Sequence, residues 1–354
     1  MAVGPAPAAN ARPLARRRRL LFALLPLLAL LLVTEVTIRL VRAPGHFGSF
    51  RDLRTDLLHR NYPAERHATL GYVPRANFAS RDNHWGTQVS IDGDGMRRHG
   101  ATPTPVGTRV IATVGDSFTF GDQVDDDATW PAQLEVHMQQ PVKNGGVFGY
   151  SLTQSVLRAE DMLERFPVQA LVVSFIADDL TRCEYAKRYT PLPWFDFAGD
   201  GLVLRNVPID HAAASSDSSK AWKDLLGHSA VLDAIFANTA RAWWVENEKQ
   251  VTVPHLVGRG KDLGKRLLDR IAGACKRRDV QLLVVLQGDQ SNEAALEVMQ
   301  HAAARGLPTL DLATRFAALH TTDPSLHGRF FAGHMTREGN RWVAQEIAAA
   351  LRKG

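Results

Sequence analysis

Two near-continuous apolar runs, Ala170–Ile176 and Leu282–Leu286, set the tightest limit on the fold. A strand that is apolar at nearly every position is buried on both faces, and such strands belong to parallel sheets covered by helices. Candidate strands at 109–114, 140–144, 169–175, 281–287 and 307–311 alternate with candidate helices at 129–139, 151–165, 260–278, 291–305 and 337–352. This alternation predicts an α/β fold: a three-layer α/β/α sandwich around a mostly parallel, flavodoxin-like sheet. In such sheets the site gathers at the carboxyl ends of the strands.

The charge of the chain is unevenly spread. The whole sequence carries +5, yet residues 1–42 hold seven arginines against a single acid, Glu35. The basic excess therefore belongs to the N-terminus. The remainder has no surplus of positive charge for phosphates, which argues against nucleic acid as a partner. Arg16–Arg19 abut the apolar run Leu20–Val33. Counted on to Ile38, that run approaches the roughly 20 residues that span a bilayer. No small residues stand at good spacing for cleavage, so an uncleaved signal anchor is favoured over a cleaved signal. The expected division is a cytoplasmic basic tail at 1–19, a transmembrane anchor at 20–38, an extended subregion at 43–108 and the main α/β domain at 109–354. Residues 181–258 interrupt the alternation as an insertion, either a lid or a helical patch. The arginines stay inside, so the domain is expected on the periplasmic or extracellular side of the cytoplasmic membrane.

The first candidate strand runs straight into Gly115-Asp116-Ser117. A strand, a tight turn and a helix with serine at the turn is how an α/β fold displays a nucleophile. A distant histidine, His334, precedes an amphipathic segment and supplies a base for the serine's proton. Together they point to acyl transfer or ester hydrolysis. A serine that merely caps the following helix is the plain alternative. Cys183 and Cys275 are too few for a disulfide framework, and whether they are joined stays open. No metal-ligand spacing and no phosphate-cradling loop stands out, so neither a metal nor a cofactor is expected.

Four blocks resemble the SGNH/GDSL hydrolases, in particular exported bacterial members with an N-terminal anchor. They are Val114–Gly121 continued by Asp125–Leu134, then Asn144–Tyr150, Ile176–Asp179 and Arg329–Asn340. The resemblance implies Ser117 as nucleophile and His334 as base. It implies an oxyanion hole from the backbone N–H groups of Ser117 and Gly149, with Asp178 at the third donor position. Gly115, Asp116, Asn144 and Asp179 support the motifs. The substrate class it implies is an acylated envelope glycan or a small ester, with the membrane as a further partner through the N-terminal helix; protein partners stay open.

Two positions depart from the family pattern. Asp178 stands where the family carries an asparagine, and an ionised carboxylate accepts hydrogen bonds rather than donating them. Phe331 and Ala332 stand where the family has the aspartate that orients the histidine. A Ser–His pair oriented by a backbone carbonyl, or by Asp323 folding back, is the expectation that follows. The rival expectation is a degenerate binding or scaffold module in envelope polysaccharide assembly.

Overall fold

The computed structural model describes residues 14–43, 45–55, 62–99, 107–199, 201–211, 218–246 and 250–353. The chain divides into two compact units, Met1–Thr55 with Ser216–Glu246 and Asp56–Ser215 with Asn247–Gly354.

The second unit holds the central sheet. Its strands are β1 Val110–Val114, β2 Val142–Asn144, β3 Val168–Phe175, β4 Gln281–Leu286 and β5 Thr309–Asp311. They are ordered β2-β1-β3-β4-β5, and each neighbouring pair is parallel. The flavodoxin-like order expected from the apolar runs is therefore present. Its helices include α1 Ser117–Phe120, α2 Trp130–Met138, α3 Leu152–Arg165, α4 Ala177–Arg182, α5 Gly260–Arg277, α6 Glu293–Ala304, α7 Leu312–Thr322 and α8 Arg337–Leu351, with the short helix Leu326–Phe330 between α7 and α8.

Burial on both sheet faces explains the unbroken apolar pattern. Along β1, Val110, Ala112 and Val114 pack into one core with α3, α5 and α6. Ile111 faces the other core, built with α2, α7 and α8 around Trp130, Phe316 and Ile347. Local signals begin the helices. Ser151 and Gln154 form a reciprocal capping box at α3, and Thr336 accepts the Gly339 N–H at α8. Each such cap is worth about 1 kcal/mol.

Strand order reverses between β1 and β3, so the loops that leave their carboxyl ends diverge and open a crevice there. Strands at 64–67 and 71–74 belong to this unit and brace the loop after β2. The Tyr72 hydroxyl donates to Phe148 O at 2.7 Å, and the Tyr150 hydroxyl donates to Tyr72 O at 2.6 Å. The interruption after α4 adds short antiparallel pairs, such as Trp194–Ala198 with Gly201–Arg205. Cys183 and Cys275 are both buried and free.

The first unit contains the helix Leu14–Arg42. Its part Leu24–Arg42 has a mean hydropathy of 2.1 and is long and apolar enough to cross a membrane, alone in this among the described residues. The helices Phe50–Thr55, Ser218–Gly227 and Ala230–Thr239 and the π-helix Ala242–Glu246 follow in the same unit. Polar contacts tie them together. Glu35 accepts from Ser229 Oγ at 2.9 Å and from the backbone N–H groups of Ala230 and Val231 at 2.9 and 3.0 Å. Arg51 donates to Trp244 O at 2.8 Å, and Arg54 pairs with Asp233 at 2.8 Å. Trp244 is fully buried in this unit, whereas Trp222 is exposed.

Candidate active site

The position of Ser117 is created by a turn that only a small residue permits. β1 ends at Val114, and on Gly115, which follows it, a Cβ would lie 2.3 Å from Thr119 Oγ1 and 2.7 Å from Ser174 O. Asp116 then caps the next turn, its carboxyl accepting the Phe118 N–H at 3.0 Å. Ser117 opens α1, buried but reached by one imidazole.

That imidazole is His334. Ser117 Oγ and His334 Nε2 lie 2.8 Å apart, although 217 residues separate them in the chain. His334 sits on a two-residue strand paired across Gly333 with Phe331–Ala332. Asn340 on α8 fixes that strand, because its amide donates to Met335 O at 3.2 Å while its oxygen accepts the Trp130 N–H at 2.8 Å. Gly339 lets α8 approach, since a Cβ there would meet Phe330 O at 2.4 Å. The Thr-x-x-Gly-Asn run after the histidine is thus positional.

The loop after β2 brings the other expected donor. Gly149 has φ +73°, and a Cβ on it would lie 3.0 Å from the Tyr72 hydroxyl. Its carbonyl accepts from Arg188 Nη1 at 2.8 Å. Among the described residues, neither the Ser117 N–H nor the Gly149 N–H is engaged in a hydrogen bond. Asn144 holds the loop's base, its amide donating to Thr119 O at 3.1 Å and its oxygen accepting the Gly146 N–H at 3.0 Å.

The loop after β3 behaves differently from its motif. Asp178 points outward with 78% of its side chain exposed, and its nearest ionic neighbour is Arg182 Nη2 at 3.9 Å. No hydrogen bond joins it to Ser117 or His334 among the described residues. Asp179 is the buried member. It accepts the Ile176 N–H at 3.1 Å and pairs with Arg182 Nη1 at 2.5 Å. Arg182 also approaches Asp116 Oδ2 at 3.4 Å and donates to Tyr150 O at 3.2 Å, joining three loops of the crevice. Burial opposes the guanidinium charge, but Asp179 and Asp116 outweigh it and raise the Arg182 pKa.

The imidazole's second nitrogen meets neither Ala332 nor Asp323. Ala332 is exposed on the hairpin, and Asp323 caps Ser325 at 3.0 Å and lies 3.8 Å from Arg329. Gln123 fills the place instead. Its amide nitrogen lies 3.1 Å from His334 Nδ1, and its oxygen accepts the His334 N–H at 3.2 Å. The loop that carries Gln123 is held by the buried Arg97, which donates to Gln88 O at 3.0 Å, Val124 O at 2.7 Å and Asp126 at 3.1 Å. Burial lowers the His334 pKa. Asp116 partly offsets this and Arg182 adds to it, so neutral imidazole is favoured.

Gln123, Arg97 and Arg182 escape the sequence reading. Arg182 had a signal, since it stands three residues after Asp179 on a helical stretch and can pair with it. Gln123 had none, being one polar residue in a loop.

No protein-family model matches the sequence, and no curated protein matches it. Solved structures do. A putative lipolytic protein of the G-D-S-L family from Desulfitobacterium hafniense is 13% identical, covering 68% of this chain and 98% of its own, with a TM-score of 0.37. A lipase/acylhydrolase from Enterococcus faecalis is 12% identical, with coverages of 69% and 96% and a TM-score of 0.39. A catalytic mutant of an acetylxylan esterase from Geobacillus stearothermophilus is 13% identical, with coverages of 71% and 96% and a TM-score of 0.37.

Proposed function

We propose that this chain is a membrane-tethered serine ester hydrolase of the SGNH/GDSL kind, acting through an acyl-Ser117 intermediate. The observation that carries this reading is the 2.8 Å contact between Ser117 Oγ and His334 Nε2 at the crevice where strand order reverses. The four sequence blocks that resemble the family support it.

In the proposed reaction Ser117 Oγ attacks the acyl carbon and its proton passes to His334 Nε2. The carbonyl oxygen becomes an oxyanion, which the Ser117 and Gly149 N–H groups receive in this reading. The tetrahedral intermediate collapses, the C–O bond to the alcohol breaks, and His334 returns the proton to the leaving oxygen. Water then attacks the acyl-serine with His334 again as base, releasing the acid and restoring Ser117. A sugar hydroxyl in place of water would make the same site a transferase.

The helix Leu24–Arg42 supports a single anchor, and the Arg16–Arg19 cluster before it supports a periplasmic or extracellular site. That placement makes O-acylated envelope glycans or small esters the substrate class. The exposed carboxylate of Asp178 favours a second reading, a module that binds such glycans without turning them over.

A fluorophosphonate probe on the full chain in detergent separates the two. The expected result is covalent labelling of Ser117 and hydrolysis of an activated acetyl ester, both abolished in Ser117→Ala. Equal turnover by the wild type and Ser117→Ala would refute the hydrolase reading.

A further inference from the structure

The two contacts between Gln123 and His334 determine where the imidazole proton resides. A backbone N–H only donates, so the Gln123 atom 3.2 Å from the His334 N–H is the carbonyl oxygen. The other end of the amide, 3.1 Å from Nδ1, is then the NH₂ group, which only donates. Nδ1 must present its lone pair to it. In a neutral imidazole the single proton is then on Nε2, the atom 2.8 Å from Ser117 Oγ. Reversing the amide would set NH₂ against the backbone N–H, donor against donor. The two contacts therefore select one orientation and one tautomer.

This tautomer is the opposite of the one that a general base needs. To take the serine's proton, Nε2 must offer a lone pair while Nδ1–H is held by an acceptor. The same amide also opposes the imidazolium that forms during attack, because Nδ1–H would then face NH₂.

We propose that Gln123 is a positioning residue that occupies the orienting acid's place and holds His334 in the Nε2–H form, so that the Ser117–His334 pair rests unprimed. The inference rests on the hydrolase reading above. A carboxylate at 123 would accept from Nδ1–H and also from the His334 N–H, satisfying both contacts while reversing the tautomer. In the serine-protease template, exchanging the orienting acid for its amide lowers kcat about 10⁴-fold through the wrong tautomer. The reverse exchange here is expected to raise kcat at least about tenfold with little change in KM.

The test uses the full chain in detergent, labelled with ¹⁵N-histidine, with the His334 resonances assigned by comparison with His334→Asn. In the wild type, Nδ1 should give the shift of an unprotonated nitrogen and Nε2 that of a protonated one. In Gln123→Glu the two should exchange, and turnover of an activated acetyl ester should rise. Gln123→Met, which removes both polar atoms from an exposed loop position, should leave the tautomers mixed. A protonated Nδ1 in the wild type would overturn the proposal. So would a Gln123→Glu variant whose tautomer reverses without a gain in kcat, provided its Ser117 is labelled by the fluorophosphonate. If the shifts exchange as expected but neither protein labels or turns over ester, the tautomer assignment holds and the hydrolase reading fails.

Discussion

Asp122 Oδ2 lies 3.8 Å from Nε2 of His334, on the side of the ring that faces Ser117. Asp122 immediately precedes Gln123, so one short loop places a carboxyl group near Nε2 and an amide at Nδ1. Burial, with the nearby Asp116 adding to it, pushes the Asp122 pKa up to about 8. At neutral pH the protonated form therefore predominates. A neutral carboxyl beside Nε2 adds no charge that would draw the imidazole toward imidazolium.

Asp122 makes stability depend on pH in a definite direction. Its unfolded pKa is about 3.9, and the folded value is about 8. Between these the folded chain binds a proton that the unfolded chain does not. The stability tied to that proton is complete below about pH 4 and is lost as pH rises toward 8. Asp122→Asn carries no proton to lose. Thermal unfolding of the full chain at pH 5 and at pH 9 should show a smaller fall in Tm for the variant than for wild type. Parallel curves would show that Asp122 is already ionised in the folded protein.

His334 sets a second pH dependence, of opposite sense. Burial and Arg182 lower its pKa from the ordinary 6.5, against the pull of Asp116. The folded chain thus keeps the neutral base at pH values where a free imidazole would be charged. The acid limb of kcat/KM, which reports the free enzyme, should fall below pH 6.5. Removing the positive neighbour should move that limb upward, so Arg182→Gln is the comparison. An acid limb that stays in place in a folded Arg182→Gln protein would mean that Arg182 does not act on the imidazole.

The sheet and the Ser–His pair are legible in the sequence for different reasons. The strands β1, β3 and β4 announce themselves through local composition, because burial on two faces demands apolar residues at nearly every step. Ser117 is legible because the turn that displays it is made by its own neighbours, Gly115 and Asp116. His334 is legible through the Thr336-to-Asn340 run that starts α8. The orienting group is not legible, since Gln123 and His334 are 211 residues apart and an exposed glutamine has no pattern of its own. Asp178 shows the converse. Its place in the motif reads as an oxyanion donor, yet it projects into solvent while Asp179 turns inward to Arg182. Motif position identifies a neighbourhood, and side-chain direction then decides what a residue does there.

Glu35 is the polar anchor point of the first unit. It receives Ser229 Oγ and the first two N–H groups of the helix Ala230–Thr239, and it pairs with Arg39 at 2.7 Å. Glu35→Ala leaves those donors without this acceptor and removes a negative charge from a helix N-terminus. Each effect is worth about 1 kcal/mol. Limited proteolysis should then cut within 218–246 faster than in wild type, while the β1–β5 sheet stays resistant. Unchanged cleavage of 218–246 would show that apolar packing alone holds the segment.

The last prediction concerns Ala332, where the family pattern places an acid. Ala332 lies across the hairpin from His334, next to Gly333 at φ +88°. A carboxylate introduced there would need Nδ1–H as its donor, but Nδ1 is already accepting from Gln123. Ala332→Asp alone is therefore expected to change kcat by less than about threefold, under 1 kcal/mol of barrier. Once Gln123→Met vacates Nδ1, the same carboxylate has a proton to hold. The double variant should then exceed the product of the two single effects, the sign of two residues acting through one ring nitrogen. Initial rates on an activated acetyl ester for both singles and the double provide the measurement. A tenfold gain from Ala332→Asp by itself would mean that the acid's place is open in the wild type, and that Gln123 does not fill it.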